Sequence, residues 1–437
     1  MIDMTGRELA LQALIRFRRD GAWPDLYLKK EGEKLSAEEM GLASALTYGV
    51  LEQRSLLDFY LQSFSKMPLK KVMPQVLDAM RLSAYQLVFL RRIPASAAIN
   101  ESIKLIKKQT NQRAASFANG VLRSLSRSIE ALPVPSFPDL TERLSVQYSH
   151  PRWLVERLLA QVGPEECEAF LQENNKQPPV VLRVNTLKTT TEALCALLPG
   201  VEVHPYLPDA LACQSVREYL RTDAFRQGLF SVQDSASQLC VHALAPKMGE
   251  TVLDLCAAPG GKSILAAQFM ECKGKLLSYD LHPHRAELIR KTAEKMGVTN
   301  IQTSAADSTI LNPDLCGVAD AIICDVPCSG IGIIRKKPDV RYKNPEDVDG
   351  LPQIQLQILL NALAYLKPGG RLVYSTCTVL NEENMKIVDA ALAQRSDCIL
   401  ESFMLPGIGV VDGAITLWPQ KHGTDGFFLA RIKKIGG

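Results

Sequence analysis

The sequence predicts an all-helical module followed by a doubly wound α/β domain, with a small mixed α+β segment between them. Three observations carry this. Apolar residues recur at helical spacing through residues 1–130, without strand-like alternation. Leu132-Pro-Val-Pro-Ser-Phe-Pro138 then packs three prolines into seven residues, the composition of a stiff linker and a domain boundary. From Thr251 onward, short apolar runs alternate with helical patterns, the βαβ rhythm of a mostly parallel sheet.

Within residues 1–130, Leu9, Ala10, Ala13, Leu14 and Phe17 form one apolar stripe. Leu77, Met80, Leu82, Tyr85, Leu87 and Phe89 form another, and Pro68, Pro74 and Pro94 fall where helices begin or break. Residues 131–139 are the linker. Residues 140–245 read as a mixed segment, with a helix over 151–162, a strand over 180–185 and no catalytic constellation. In residues 246–437 the pattern predicts strands over 251–256, 275–281, 301–306, 321–326 and 371–377. Helices are predicted over 262–270, 283–296, 351–366 and 382–395, and an antiparallel closing strand over 427–432.

A chain of 437 residues is too long for one ordinary domain. Its 46% hydrophobic and 22% charged residues are those of a globular protein. No apolar run approaches the ~18 residues of a membrane span, and Met1-Ile-Asp-Met-Thr-Gly-Arg-Glu8 lacks the apolar core of a signal peptide. The eleven cysteines include no CxxC pair, so no zinc or other metal site is expected. Retained thiols point to a reducing cytoplasm. The net charge of +3 hides an asymmetry. Residues 1–130 carry 20 Lys and Arg against 13 Asp and Glu, a balance of +7; the remainder carries 30 against 34, a balance of −4. A basic module suits a docked polyanion, and equally a solvated basic surface. Nothing points to a protein partner.

Three segments of the third part carry chemistry: Asp254-Leu-Cys-Ala-Ala-Pro-Gly-Gly-Lys262, Asp325-Val-Pro-Cys-Ser-Gly-Ile-Gly332 and Tyr374-Ser-Thr-Cys-Thr378. Each lies at the carboxyl end of a predicted strand, where parallel sheets bind ligands. In the first, glycines at a helix start let a ligand approach unpaired N–H groups. A P-loop needs glycine where Cys256 stands, so triphosphate binding is disfavoured. Asp254, Asp280 and Asp307 fall at three successive strand ends. An acid at the second strand accepts ribose hydroxyls, and Asp307 is placed for an adenine amino group. Such acids also cap helices, yet three in register suit a neutral-to-cationic nucleoside, S-adenosylmethionine among them.

Cys328 and Cys377 stand just past two strand ends. Methylation of pyrimidine carbon 5 needs help, because that carbon is a poor nucleophile. A thiolate adding to carbon 6 makes carbon 5 enamine-like. A base must later take the carbon-5 proton so that the thiolate can leave. Two cysteines and one acid suffice, with Asp325 on the ring nitrogen.

Cys-Ala-Ala-Pro-Gly-Gly-Lys, Asp-x-Pro-Cys-Ser-Gly and Ser-Thr-Cys together resemble the signature of the RNA 5-methylcytosine methyltransferases of the NOL1/NOP2/Sun family. Ala98-Ile-Asn-Glu-Ser102 and Phe117-Ala-Asn-Gly-Val-Leu-Arg123 resemble a NusB-like RNA-binding domain, and Phe230-Ser-Val-Gln-Asp-Ser-Ala-Ser-Gln238 is similar to the family's stretch ahead of the cofactor loop. The resemblance covers nearly the whole chain. It implies a Rossmann-like class I methyltransferase domain acting on 16S ribosomal RNA with S-adenosylmethionine. It implies a cofactor site at Cys256, Ala257, Ala258, Pro259, Gly260, Gly261, Lys262, Asp280, Asp307 and Asp325. It assigns the attack to Cys377 and assistance in product release to Cys328. DNA cytosine methyltransferases use the Pro-Cys cysteine to attack, which makes Cys328 the rival. Arg335, Lys336, Lys337 and Arg341 follow the Pro-Cys loop, where they either hold RNA phosphates or form a solvated loop. Two other functions stand beside this one: the same chemistry on another RNA such as transfer RNA, and a non-catalytic RNA-binding assembly factor. The intact cysteine pair argues against the second.

Overall fold

The computed structural model describes residues 4–21 and 23–436. Met1–Asp3, where the stretch read against a signal peptide begins, lie outside the described residues. Two compact units result: residues up to Asn175 with Lys337–Tyr342, and Lys176–Lys336 with Lys343 onward. Residues 140–245 fall on both sides of this division. No helix among the described residues is long and apolar enough to cross a membrane.

The first unit is helical. Its helices are Gly6–Asp20, Pro24–Gly32, Ala37–Ser63, Pro74–Phe89, Ala95–Gln109, Gln112–Arg127, Leu140–Gln147 and Arg152–Glu173. Thr5, Ser36 and Asn111 cap three of them by accepting from a backbone N–H three residues on. Leu11, Leu46, Leu57, Met80 and Leu122 are fully buried in a common core. The helix predicted over 151–162 ends where Gly163 turns the chain at φ 77°, and Pro164 opens a second helix that runs to Glu173.

Lys337–Tyr342 belongs to this unit, although the cysteine-bearing loop precedes it in sequence. Arg341 is 3% exposed. Its Nη1 donates to the carbonyls of Glu52, Tyr148 and Ser149 at 2.8, 3.1 and 2.9 Å. Its Nη2 donates to the Asn174 carbonyl at 3.2 Å and to Asn175 Oδ1 at 2.6 Å. Burial pushes its pKa down to about 10. Tyr342 follows, donating to the Leu51 carbonyl at 2.7 Å and packing edge-on against Phe17.

The second unit opens with a small antiparallel sheet of β1 (Val180–Val184), β2 (Glu202–Val203), β3 (Ala210–Cys213) and β4 (Phe230–Val232), ordered β2-β3-β1-β4. The large sheet is built from β5 (Thr251–Asp254), β6 (Lys275–Asp280), β7 (Ile301–Ala305), β8 (Ala319–Asp325) and β9 (Leu366–Thr376). After β9 come β10 (Cys398–Leu400), the hairpin β11 (Phe403–Leu405) and β12 (Gly409–Val411), then β13 (Ala414–Leu417) and β14 (Phe427–Lys434). The large sheet runs β10-β14-β9-β8-β5-β6-β7, with β13 also on β14. Strands β5 to β9 pair in parallel, and β14 closes antiparallel to β9. The doubly wound, mostly parallel sheet is therefore as the βαβ rhythm predicts. The order reverses between β5 and β8, which places the ligand crevice beyond their carboxyl ends.

Arg341→Ala leaves several buried carbonyls without a donor, each costing about 1–3 kcal/mol. Faster amide hydrogen exchange across residues 140–175 is expected. Exchange equal to the unsubstituted chain would show that water replaces the guanidinium at no cost.

Candidate active site

The cysteine loops meet because β8 and β9 run parallel with Asp325 opposite Ser375. Cys377 is the first residue past β9 and Cys328 the third past β8. Their sulfurs lie 2.7 Å apart, and the Cys377 N–H donates to Cys328 Sγ at 3.2 Å. Both side chains are half-buried. The hydrogen bond to Cys377, burial and neighbouring negative charge push the Cys328 thiol well above its usual range. Either sulfur can donate the hydrogen that the pair shares. Gly332 N–H donates to the Cys377 carbonyl at 3.0 Å and its carbonyl accepts from Gly426 at 2.8 Å. A Cβ at Gly332 would overlap Gly426, so only glycine fits there.

A cavity of about 290 Å³ opens beside the two sulfurs. Cys256, Ala258, Asp280, Asp307, Asp325, Cys328 and Cys377 line it, with Leu281, Ile354 and Ile358 as apolar walls. Ala257, Pro259, Gly260, Gly261 and Lys262 do not; they form the scaffold behind it. Asp280 is 3% exposed, and its carboxylate accepts from the N–H groups of Ala258 and His282 at 3.2 and 3.3 Å. Arg285 approaches it at 3.4 Å. Gly260 enters the following helix at φ 104°, with Ile289 3.2 Å from where a Cβ would be. Both features exclude a larger residue.

Lys262 does not face a ligand as a P-loop lysine does. Its ammonium donates to Asp325 Oδ2 at 2.7 Å, and Ser375 Oγ donates to the other oxygen at 2.6 Å. Burial opposes the lysine charge, but Asp325 outweighs it and raises the pKa above the usual lysine range. The three strand-end acids have separate fates. Asp254 is 1% exposed and off the cavity; Ser263 Oγ donates to it at 2.6 Å and in turn accepts from Ser278 at 3.0 Å. Burial pushes its pKa up to about 7. Asp307 stands two residues beyond β7 and accepts from the Thr309 N–H and Oγ1 at 2.9 and 2.6 Å. Of these three, only Asp280 both ends its strand and lines the cavity.

The basic stretch after Cys328 is corrected by the structure. Arg335 is buried against Asp425 at 2.7 Å, and Arg341 is consumed in the helical unit. Lys336 pairs with Asp234 and Asp425 at 2.6 Å each, which leaves Lys337 exposed. Buried guanidiniums already satisfied by protein are not available to phosphates. Residues 140–245, read as empty of chemistry, supply Arg183 and Gln233. Arg183, 1% exposed on β1, donates through Nη1 to Gln233 Oε1 and to the Gly261 carbonyl. It braces the cofactor loop from behind. An arginine in the middle of Val180-Val-Leu-Arg-Val184 was the available signal, since a charge in a buried strand needs a partner. Among the described residues no cluster of His, Cys, Asp and Glu forms a metal site.

Residues 241–433 match the family described as 16S rRNA methyltransferase RsmB/F. Residues 4–127 match the NusB family, and 150–217 the ferredoxin-like domain of RsmF/B-like methyltransferases. The chain is 38% identical to the probable ribosomal RNA small subunit methyltransferase B of Bacillus subtilis, over 98% of this chain and 99% of that one. It is 32% identical to ribosomal RNA small subunit methyltransferase B of Klebsiella pneumoniae, over 98% of each. The crystal structure of PH0851 shares the fold at a TM-score of 0.79 and 27% identity, covering 99% of both chains. A NusB helical domain, a ferredoxin-like segment and a mostly parallel methyltransferase sheet thus follow one another, and with identity of this level over its full length the chain belongs to the RsmB/F family of 16S rRNA methyltransferases.

Proposed function

We propose that the chain methylates carbon 5 of a cytosine in 16S ribosomal RNA through a covalent adduct on Cys377. The observation that carries this reading is the pair of thiols 2.7 Å apart at the edge of the cavity. One thiol cannot both stay bound to carbon 6 and serve the release; two in contact can divide the steps. Cys377, the cysteine that the family resemblance makes the nucleophile, attacks carbon 6. The ring nitrogen takes up a proton as carbon 6 is attacked, and Asp325 accepts a hydrogen bond from that N–H, so the added charge is balanced. Carbon 5 then takes the methyl group. In release, carbon 5 gives up its proton with the help of Cys328, and the bond from carbon 6 to sulfur breaks.

S-adenosylmethionine supplies the methyl group when bound. The residues fit it: three carboxylates line the cavity and Arg285 is the one cation among the lining residues, which favours a cationic nucleoside over a phosphate. Asp280 is backed by two N–H groups and aims its carboxylate where ribose hydroxyls belong. Asp307 is placed for the adenine amino group, and Cys256 and Ala258 form the near wall. Ala257, Pro259, Gly260, Gly261 and Lys262 hold that wall and Asp325 in place. The target base must be single-stranded or flipped out of its stack. The NusB-like unit, with its balance of +7 over residues 1–130, provides RNA affinity in this reading. The eleven free thiols suit a reducing cytoplasm.

Losing Asp280 removes a charge-assisted hydrogen bond worth about 1.5–3 kcal/mol. Titration calorimetry of Asp280→Ala with S-adenosylmethionine is expected to show that loss. Unchanged affinity would reduce Asp280 to a brace of its own loop.

The cysteines should fail differently. Cys377→Ala is expected to be inactive and to leave no adduct with 16S RNA and S-adenosylmethionine. Cys328→Ala is expected to trap a protein–RNA complex that survives a denaturing gel. The opposite pattern would exchange their roles, and activity without any adduct in either variant would end the covalent reading.

A further inference from the structure

The loop that carries Cys328 is gripped on both sides by one buried polar pair. Glu383, fully buried in the segment between β9 and the helix Met385–Gln394, accepts from the Ser329 N–H at 2.8 Å. The same oxygen accepts from Gln355 Nε2 at 2.9 Å. Gln355 is fully buried in the helix Leu351–Tyr365, and its Nε2 also donates to the Pro327 carbonyl at 2.9 Å. Both of its partners are acceptors, so the amide nitrogen must face them. The peptide groups immediately before and after Cys328 are thus tied to each other through two side chains. Ser329 Oγ meets Thr378 Oγ1 at 2.9 Å, linking this loop to the residue after Cys377. Tyr374 Oη in turn donates to the Glu383 carbonyl at 2.6 Å, fixing the segment to β9.

A fully buried carboxylate is costly unless its hydrogen bonds serve a purpose. Here the partners of Oε2 are neutral donors, and Oε1 has none. A hydrophobic residue would fill the space at lower cost. What it could not do is hold the Ser329 N–H.

We propose that Glu383, acting through the Ser329 amide and Gln355, is a positioning residue that sets the Cys328 sulfur against Cys377 for the release step. This rests on the covalent reading above. Glu383 touches neither substrate nor cofactor in that scheme. Its loss should therefore slow release without slowing attack or weakening the cofactor.

The test uses the full chain with 16S RNA and S-adenosylmethionine, and follows turnover, methyl transfer in the first turnover and adduct on a denaturing gel. Cys328→Ala serves as the control. Glu383→Ala is expected to accumulate adduct with first-turnover methyl transfer intact and turnover reduced about tenfold or more, as a displaced catalytic group does. Its calorimetric affinity for S-adenosylmethionine should stay within about twofold, since the clamp lies outside the carboxylates that bind it. Glu383→Gln keeps an oxygen that can accept from both Ser329 and Gln355, so it should restore most of the turnover. Gln355→Ala frees the Pro327 carbonyl and should shift the same way as Glu383→Ala, and it carries the test if Glu383→Ala does not fold. Normal turnover in the alanine variants, a parallel loss of cofactor affinity, or failure of Glu383→Gln to rescue would each overturn the proposal. Adduct with Cys328→Ala but none with Glu383→Ala or Gln355→Ala would overturn it while leaving the covalent reading intact. No adduct with Cys328→Ala would take Cys328 out of the release step, and the proposal would fall with that assignment.

Discussion

The site depends on the parallel register that sets Asp325 opposite Ser375. Side chains alternate faces along a strand, so opposite partners in register point the same way. Ser375 can therefore donate to Asp325, and Asp325 can hold Lys262 from the cofactor loop. A slip of one residue would turn Tyr374 or Thr376 to that face and bury Ser375 against apolar neighbours. The same register decides where the chains leave the sheet, and hence that Cys328 and Cys377 emerge within contact distance. One ladder thus aligns the acid, the lysine and both thiols.

Two buried cations of this chain are stabilised in different ways. Lys262 has a full counter-charge at 2.7 Å. The pair is partly buried, so removing one member leaves the other uncompensated yet within reach of water. Arg341 is instead surrounded by carbonyl dipoles, four of them backbone, and burial lowers its pKa. Arg183 belongs with Arg341: burial pushes it down to about 9, and it holds a carbonyl and a carboxamide oxygen. Guanidinium is the side chain for this task, because its fork of donors reaches several carbonyls at once. These arginines order backbone segments that lack regular partners, namely the cofactor loop start in one unit and residues 148–175 in the other.

The legible parts of the fold were those encoded locally. The alternation of apolar runs and helical stripes placed β5 to β9, and Gly260-Gly261 marked the loop that opens the helix Gly261–Phe269. Cys328 and Cys377 were legible because each lies within three residues of a strand end. The stop at Val162 was legible: Gly163 breaks the helix, and Pro164 opens a second one, since proline suits a helix's first turn. Long-range pairings left no local trace. Gln355 and Glu383 sit 28 residues apart, Arg183 and Gly261 78 apart, and Arg341 lies 192 residues from the carbonyl of Ser149. Such side chain–backbone contacts carry no periodicity, and in the sequence alone a buried arginine looks like a solvated one. That is why the cations after Cys328 read as candidates for phosphate, while two of them are structural.

The two cysteines are held by unlike means, and the difference matches unlike tasks in the proposed cycle. Cys377 continues directly from β9, and its carbonyl is fixed by the Gly332 amide. A nucleophile must approach carbon 6 along a narrow path, so rigid backbone support suits it. Cys328 sits farther out, on a loop whose order comes from side chains: Gln355 on one flank, Glu383 and Thr378 on the other. Side-chain restraint can be tight yet adjustable, because rotamers give where a ladder does not. In the proposed cycle Cys328 lies beside Cys377 and then serves carbon 5, which needs that small freedom. In the proposed cycle, then, the sheet positions the attacking cysteine, and a buried carboxylate–carboxamide pair positions the one that serves release.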